Sequence, residues 1–285
     1  MIWLIFALIA AASSGIRSII HRLVMKTESP YSYALVENVL TAIAFLPLLY
    51  LEFVFPVDYF AWVLVGVSSI LWVLVTITNY HAYKHTPVTL KDPISQSSVL
   101  FVFALSILFL SESITLLKIS GIILVFSGLV LITFKNQNLF GGFFDKGVQL
   151  TLLTAFLSSV VVIVDKVAMK YFTPGTYGFL VYLIPSLILI AFLKNRKDET
   201  KNLLKNRWPY VALIVVLGVS VYYFSLKAYS LADASIVFPI IRLSTIFGVF
   251  GGLAIFEEER KNIFRKIIAI AIIIAGVLLV SGSLF

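Results

Sequence analysis

Arg242 lies deep inside one of the most apolar stretches of the sequence. This stretch, residues 228–258, begins polar, carries Pro239, continues as a long apolar run and stops at Glu258. A charge embedded in such a run is expensive, and a guanidinium cannot lose its charge by deprotonation. Arg242 therefore needs water, a carboxylate or an anionic ligand beside it. We predict that it binds a small-molecule substrate or the substrate's counter-charge.

The same pattern occurs 146 positions earlier, in residues 82–112. Gln96 stands where the later copy has Arg242, and Asp92 precedes Gln96 by four residues. This symmetry predicts that Asp92 and Gln96 face Arg242 across a central space. Glu37 and Asp92 are the best internal candidates to neutralise Arg242. The residues identical in the two copies are Ala82 and Ala228, Tyr83 and Tyr229, Pro93 and Pro239, Ile94 and Ile240, Ser98 and Ser244, Phe101 and Phe247, and Glu112 and Glu258.

A polar stripe marks the first apolar segment. Ser14, Arg17, Ser18 and His21 are spaced i, i+3, i+4 and i+7, which places them on one face of a helix. Such a stripe faces protein or water rather than lipid, so we interpret it as a substrate-binding cavity wall with His21 as a candidate proton carrier. In the alternative, Arg17 and His21 extend from a helix end to the lipid headgroups. Asp165 corresponds to His21 in the second copy.

Two polar residues of the second apolar segment and the two prolines of the repeated segments complete the predicted site. Glu37 and Asn38 lie well inside the second segment, where they either bind substrate or form a structural ion pair and a buried hydrogen bond. Pro93 and Pro239 each remove a helical hydrogen bond, which frees a carbonyl and permits a bend. We predict that both prolines are hinges of a site that opens on alternate sides, the alternative being tolerated kinks.

Signals for enzyme chemistry are weak. His81 and His85 have the spacing of a metal pair but lack an HExxH glutamate and a third ligand, so we expect no metal site. There is no cysteine, no nucleotide-binding glycine-rich loop ending in Lys-Ser or Lys-Thr, and no GxSxG motif. We expect neither an enzyme nor a cofactor. Glu112 and Glu258 are predicted to end their helices with a cationic or backbone partner.

The composition indicates a protein whose solvent is lipid. Of the 285 residues 60% are hydrophobic and 13% charged, with mean hydropathy +1.04, whereas a soluble domain carries about 25% charged residues. The first apolar run lacks a small-residue cleavage site, so we expect it to be a span rather than a cleaved signal. Ten segments are long enough to span a bilayer: residues 2–24, 33–52, 59–80, 88–111, 116–134, 148–169, 176–193, 209–229, 234–256 and 263–283.

The repeat divides these segments into two groups of five. Pro30 and Pro174, and Gly128 and Gly276, also coincide at offsets near 146, which predicts halves at residues 1–140 and 141–285. Because five is odd, the second half must enter the membrane from the opposite side. We predict an all-α integral membrane protein with ten transmembrane helices, arranged as a 5+5 inverted repeat around a central cavity. The fifth and tenth helices, with the fewest deep polar residues, should lie outside that cavity.

Two motifs give the sequence a family resemblance. The segments SILFLSESITLLKISGIILVFSGLVLI and GGLAIFEEERKNIFRKIIAIAIIIAGVLLV each show an apolar helix, a terminal glutamate, a short turn and a glycine-marked last helix. In this the chain resembles the EamA family of the drug/metabolite transporter superfamily. The resemblance implies a transporter with both termini in the cytoplasm. The chain departs from the family at Glu37, where a basic residue is common, and near Ser14, where a tryptophan is usual.

The charge distribution predicts the opposite orientation. Seventeen Lys and Arg residues lie in or near the loops that connect spans 1–2, 3–4, 5–6, 7–8 and 9–10, including the polar connector at residues 194–207. The other side holds four, namely Lys118, Lys166, Lys170 and Lys227. Because cytoplasmic loops collect Lys and Arg, the count places both termini outside.

The sequence therefore predicts a multi-pass secondary transporter of the cell membrane, a permease or exporter. It would move a small polar metabolite, such as an amino acid or related organic ion, by alternating access. Alternatives are a nucleotide-sugar or phosphate-ester exchanger, a lipid-carrier flippase component, a membrane enzyme and a scaffold. We expect the lipid bilayer and a small-molecule substrate as partners and no nucleic acid, because the net charge of +8 is explained by the loops. The driving force would be a proton gradient or the substrate gradient, and the protein a monomer or a weak homo-oligomer.

Overall fold

The regular structure of the chain is helical wherever it is described. The computed structural model describes residues 2–133, 141–192, 197–257 and 262–281. The helices are α1 (Ile2–Met25), α2 (Pro30–Leu51), α3 (Tyr59–His85), α4 (Val88–Ser95), α5 (Ser97–Leu110), α6 (Leu116–Thr133), a 3₁₀ turn (Gly141–Phe144), α7 (Lys146–Ala168), α8 (Pro174–Phe192), α9 (Lys197–Leu231), α10 (Ala234–Arg242), α11 (Ser244–Ile255) and α12 (Ile263–Ser281).

The helices form ten spans if two broken pairs are each counted once. α4 and α5 together make the fourth span, and α10 and α11 make the ninth. In the described residues, eight helical stretches, these two among them, are long and apolar enough to cross a membrane, and α6 is a shorter apolar helix. The prediction of an all-helical, two-repeat membrane protein is confirmed. The sequence predicted a bend at the proline of the fourth and of the ninth span, and each of these spans is broken a few residues after its proline.

The polar connector predicted at residues 194–207 is largely helical. From Lys197 onward it belongs to the helical stretch α9, whose backbone leaves helical geometry at Arg207 (φ −125°, ψ 15°). Pro209 lies just beyond this kink. Proline at the start of a helix needs no backbone hydrogen-bond donor, so the second part begins there as a new helix. The preceding residues 193–196 lie outside the described part of the chain.

The main helix contacts between the two halves are symmetric: each of them has an equivalent in which the first half and the second half change places. α1 packs against α9, and its counterpart α7 packs against α3. Likewise α1 contacts α10 and α11 as α7 contacts α4 and α5. The helices of one half therefore interlock with those of the other, and the space between them belongs to both.

α6 and α12 form a close pair at one side of the bundle. A Cβ added at Gly128 would lie 2.5 Å from the Cγ1 atom of Ile273, and one at Gly276 would lie 2.5 Å from the carbonyl oxygen of Gly121. Only glycine permits this approach at both crossings. The charged ends of the pair are equivalent too, since Lys118 donates to Ser235 Oγ (3.1 Å) and Lys266 to Thr89 Oγ1 (2.8 Å).

Candidate functional site

A cavity of about 210 Å³ lies between the two halves. Its wall comes from α1, α3, α4, α7, α9, α10 and α11, and in the described residues α6 and α12 contribute nothing to it. This placement agrees with the prediction that the fifth and tenth helices lie outside. Thr151 and Asp165 both line the cavity on α7, so it extends about 21 Å along that helix at 1.5 Å per residue.

Arg242 lines this cavity at the end of α10. Its guanidinium lies over the ring of Phe238, with 4.6 Å from Cζ to the ring centroid. The Nε atom is buried and has no hydrogen-bond partner. No carboxylate of the described residues forms an ion pair with Arg242. The site therefore holds a cation that is stacked on an aromatic face but not neutralised by contact.

Asp92 and Lys91 lie on α4 in the same cavity wall. The Lys91 Nζ atom is 4.0 Å from Asp92 Oδ1 and 3.7 Å from the ring centroid of Tyr83, whose hydroxyl is 3.3 Å from the same oxygen. A Cβ at Gly248 would overlap Asp92 Oδ2, so this glycine makes room for the carboxylate. Sequence reasoning grouped Lys91 with loop charges. The signal it missed is that Lys91 directly precedes Asp92 on the proline-bearing helix.

Glu37 pairs with Arg17, not with Arg242. The Arg17 guanidinium donates to Glu37 Oε1, and the hydroxyl of Tyr80 donates to Glu37 Oε2. Glu37 is 1% exposed, so this ion pair stabilises a charge that would otherwise be buried alone. The prediction that Glu37 could neutralise Arg242 is wrong, because the Glu37 carboxylate forms its ion pair with Arg17 of α1.

Glu37 and Asn38 line a smaller cavity of about 50 Å³ beside the central one. Asn38 donates to the carbonyl oxygen of Ala34 (2.8 Å) on its own helix. Neither residue lines the central cavity, and their side chains form the ion pair and the buried hydrogen bond that the sequence offered as the alternative. Substrate binding by Glu37 and Asn38 stays a prediction. Arg17 lines both cavities.

His21 is enclosed by tyrosine rings. Its ring centroid lies 5.6, 5.1 and 5.5 Å from those of Tyr33, Tyr80 and Tyr83. The residue is 4% exposed, lines both cavities, and has a buried Nδ1 atom without a hydrogen-bond partner. The alternative in which His21 extends to the lipid headgroups is therefore wrong.

Gln96 is absent from the cavity wall and instead joins the two broken helices. At the break between α4 and α5, the Gln96 N–H bonds to the carbonyl of Pro93 (3.0 Å), which leaves the carbonyl of Asp92 without its usual helical donor. At the other break the Ile246 N–H bonds to Leu243 (3.0 Å), which frees the carbonyl of Arg242.

Side chains donate to both freed carbonyls, and the Asp92 carbonyl accepts its shorter hydrogen bond from Ser95 Oγ of its own helix (2.7 Å). Gln96 donates to the Arg242 carbonyl (2.8 Å) and to Thr245 Oγ1, and Thr245 Oγ1 lies 3.5 Å from the Asp92 carbonyl. Gln96 was predicted to bind substrate, and the structure assigns it a backbone contact. The predicted hinges, Pro93 and Pro239, each lie about one helical turn before a break.

Asp165 is a buried carboxylate in the cavity wall, 2% exposed. Its Oδ1 accepts hydrogen bonds from Ser68 (3.2 Å) and Tyr177 (2.9 Å), and its Oδ2 accepts one from Tyr222 (3.0 Å). Sequence reasoning noted Asp165 only as the counterpart of His21. Its tyrosine partners come from α8 and α9. The sequence spacing of Asp165, Tyr177 and Tyr222 does not indicate that these side chains meet.

Glu112 binds backbone rather than substrate. Its carboxylate accepts from the N–H groups of Ala234 (3.1 Å) and Ser235 (3.2 Å), which begin α10. A carboxylate at a helix N-terminus is stabilised by the helix dipole, so Glu112 anchors the ninth span. The equivalent prediction for Glu258 lies outside the described residues. His81 and His85 stack at 6.4 Å between ring centroids, without a third ligating side chain in the described ranges.

Comparison with known proteins places the chain in a family. The model of the EamA-like transporter family matches residues 1–134 and 145–282, so the chain belongs to that family and is a multi-pass membrane transporter. An uncharacterized protein of Methanocaldococcus jannaschii, MJ1333.1, is 25% identical over 133 residues, which are 47% of this chain and 97% of that protein. A crystal structure shares the fold, with TM-score 0.66 and 12% identity over 99% of this chain and 96% of the other.

Proposed function

We propose that the protein carries a small polar metabolite, such as an amino acid or related organic ion, across the membrane by alternating access. The observation that carries this proposal is Arg242, a cation in the central cavity with no ion pair to any described carboxylate. A guanidinium offers a planar set of donors that matches a carboxylate in two parallel hydrogen bonds. The substrate would therefore present a carboxylate to Arg242.

The opposite wall supports a substrate that also carries a positive group. Asp92 lines the cavity from the first half, and its one ion pair among the described residues is the 4.0 Å contact with Lys91, so a substrate ammonium could compete for its oxygens. Arg17, by contrast, is neutralised by Glu37. An amino acid would fit this pair of charges, with its carboxylate toward α10 and its ammonium toward α4.

The broken spans support alternating access. Each break replaces helical hydrogen bonds by shorter turns, and the freed Arg242 carbonyl is held by Gln96 of the other break. This inter-helix hydrogen bond can exchange partners without unfolding a continuous helix. Broken helices that meet near mid-membrane are typical of transporters with repeated halves.

The cavity disfavours the nucleotide-sugar exchanger. Its 210 Å³ lies below the roughly 300–1,000 Å³ of pockets that take drug-sized ligands. A phosphate ester would also require several free cations, whereas Lys91 and Arg17 lie beside carboxylates. A flippase for a lipid carrier would need an apolar path for a chain, and this wall carries Ser14, Thr154 and Ser225 among its charged groups.

A ligand screen followed by uptake tests the proposal. Purified protein is heated with amino acids, nucleosides, sugars and organic cations, and compounds that raise the Tm are offered to proteoliposomes. A ligand at 100 times its Kd stabilises by about 2.7 kcal/mol, which such a screen detects. We expect amino acids or related carboxylates to stabilise the protein and to be taken up. Stabilisation by nucleotide sugars alone, or by compounds that never cross the membrane, would overturn the proposal.

A further inference from the structure

Three buried carboxylates lie in or beside the central cavity, and they differ in their partners. Glu37 pairs with Arg17, and Asp92 lies beside Lys91. Asp165 has three hydrogen-bond donors, and each of them is a hydroxyl. In the described part of the chain no Lys, Arg or His lies within ion-pair distance of Asp165. It is therefore the buried acid whose charge no cation offsets by contact.

Such a surrounding favours a carboxyl group that changes its protonation state. An ionised carboxylate buried without a cation bears a large desolvation cost, which binding of one proton removes. Hydroxyl groups both donate and accept, so Ser68, Tyr177 and Tyr222 can hydrogen-bond the ionised and the protonated acid alike. The guanidinium beside Glu37 has no acceptor for a carboxyl proton, and its positive charge favours the ionised form.

The position of Asp165 gives a proton a route to it. The residue lines the central cavity, which is large enough to admit water, while its partners Ser68 and Tyr177 lie outside the cavity wall. The titratable side chains that face it are Tyr177 and Tyr182 from α8 and Tyr222 and Tyr229 from α9. α3 presents Ser68, and α5 carries no titratable side chain. The other charged or titratable residues of the cavity are Arg17, His21, Lys91, Asp92, Tyr83 and Arg242.

We propose that Asp165 is a proton-binding site and that its proton is taken up and released once in each transport cycle. The proton comes from water on one side of the membrane, binds a carboxylate oxygen of Asp165, and returns to water on the other side. No other bond forms or breaks. The coupling rests on the proposed transport function, whereas proton binding itself does not.

Infrared difference spectroscopy on membrane-reconstituted protein tests proton binding without any substrate. A pH step should produce a carboxylic-acid C=O band that is lost in Asp165→Asn, whose amide can keep the same hydroxyl partners. Asp58→Asn, at the exposed N-cap of α3, is the matched control and should keep the band. Asp165→Glu should shift the band, which provides a second readout if Asp165→Asn folds poorly. A band that is unchanged in both variants at Asp165 would overturn the proposal.

Proton movement in proteoliposomes tests the coupling. A pH-sensitive dye trapped inside should report a pH change in wild-type vesicles when a transported compound is added, and the change should be lost in Asp165→Asn. Wild-type proton movement in Asp165→Asn overturns the coupling. If no compound is transported at all, the proposed function fails while the infrared band still reports on Asp165, so the two failures are distinguishable.

Discussion

Gln96 donates a side-chain hydrogen bond to the carbonyl oxygen of Arg242, 2.8 Å away, and the two residues occupy the same position in the two copies of the repeat. A side chain of the first copy thus donates to the backbone carbonyl that the helix break in the second copy leaves without a donor. Because a buried carbonyl without a donor is costly, Gln96 stabilises the break in the ninth span. This contact also fixes the start of the Arg242 side chain at the cavity wall.

Replacement of Gln96 by leucine should destabilise the protein. Gln96→Leu leaves the carbonyl of Arg242 without its donor at a site that is 1% exposed, and an unsatisfied buried group costs about 1–3 kcal/mol. The measurement is the Tm of purified protein in detergent. Ser120→Ala is the control, since Ser120 is exposed and bonds within its own helix. Equal Tm values for Gln96→Leu and wild type would refute the bridging role.

A methyl group at Gly248 should disturb the site itself. The Cβ of Gly248→Ala would overlap Asp92 Oδ2 and lie 2.7 Å from Ser18 Oγ, so the carboxylate must move from its place in the wall. We expect the transport rate of the identified substrate to fall strongly. Gly66→Ala is the control, because its Cβ meets nothing within 4 Å. Equal flux in both variants would show that the position of Asp92 is unimportant.

Glu52, just after α2, should make stability depend on acid pH. Partial burial acts to raise the pKa of Glu52, but hydrogen bonds from Lys227 and Tyr223 and from the backbone of Gly175 outweigh it and lower the pKa. A carboxyl with a lowered pKa stabilises the fold above its ordinary value of 4.5, and this contribution is lost as the pH falls through the folded-state pKa.

The measurement is the Tm against pH for wild type and Glu52→Gln. Below pH 4.5 the wild-type Tm should fall more steeply than that of the variant, which has no carboxyl to protonate at this position. Parallel curves would show that the contact between Glu52 and Lys227 adds nothing to stability. Lys227 Nζ lies 2.8 Å from Glu52 Oε1, and the Tyr223 hydroxyl donates to the same oxygen (2.7 Å).

Orientation can be read from single cysteines, because the chain has none of its own. The charge count predicts that Lys201 is cytoplasmic, so Lys201→Cys should resist an impermeant thiol reagent added to intact cells. Ile114→Cys, on the opposite side and 58% exposed, should react. The reverse pattern would establish the orientation that the family resemblance implies, with both termini in the cytoplasm.

The sequence predicted the elements better than the contacts between them. Hydrophobic length predicted the number and rough positions of the spans, and the repeat marked Arg242 as a deep charge whose counterpart, Gln96, is neutral. The partner of Glu37 depended on the distance between α1 and α2, which no periodicity encodes. The role of Gln96 followed from which carbonyls the two breaks leave free. The hydroxyl shell of Asp165 required three helices to meet, so only the fold could reveal it.

Substrate flux in Arg242→Gln tests the central claim most directly. Wild type, Arg242→Gln, Arg242→Lys and Arg207→Gln are reconstituted at matched levels, the last as a control whose charge lies outside the cavity and pairs with Glu28. A charge-assisted hydrogen bond contributes about 1.5–3 kcal/mol, so Arg242→Gln should lower flux by roughly tenfold or more. Arg242→Lys should restore it only in part, because the planar guanidinium is lost, and Arg207→Gln should match wild type. Wild-type flux in Arg242→Gln would mean that the charge does not hold the substrate, and the central site would be contradicted.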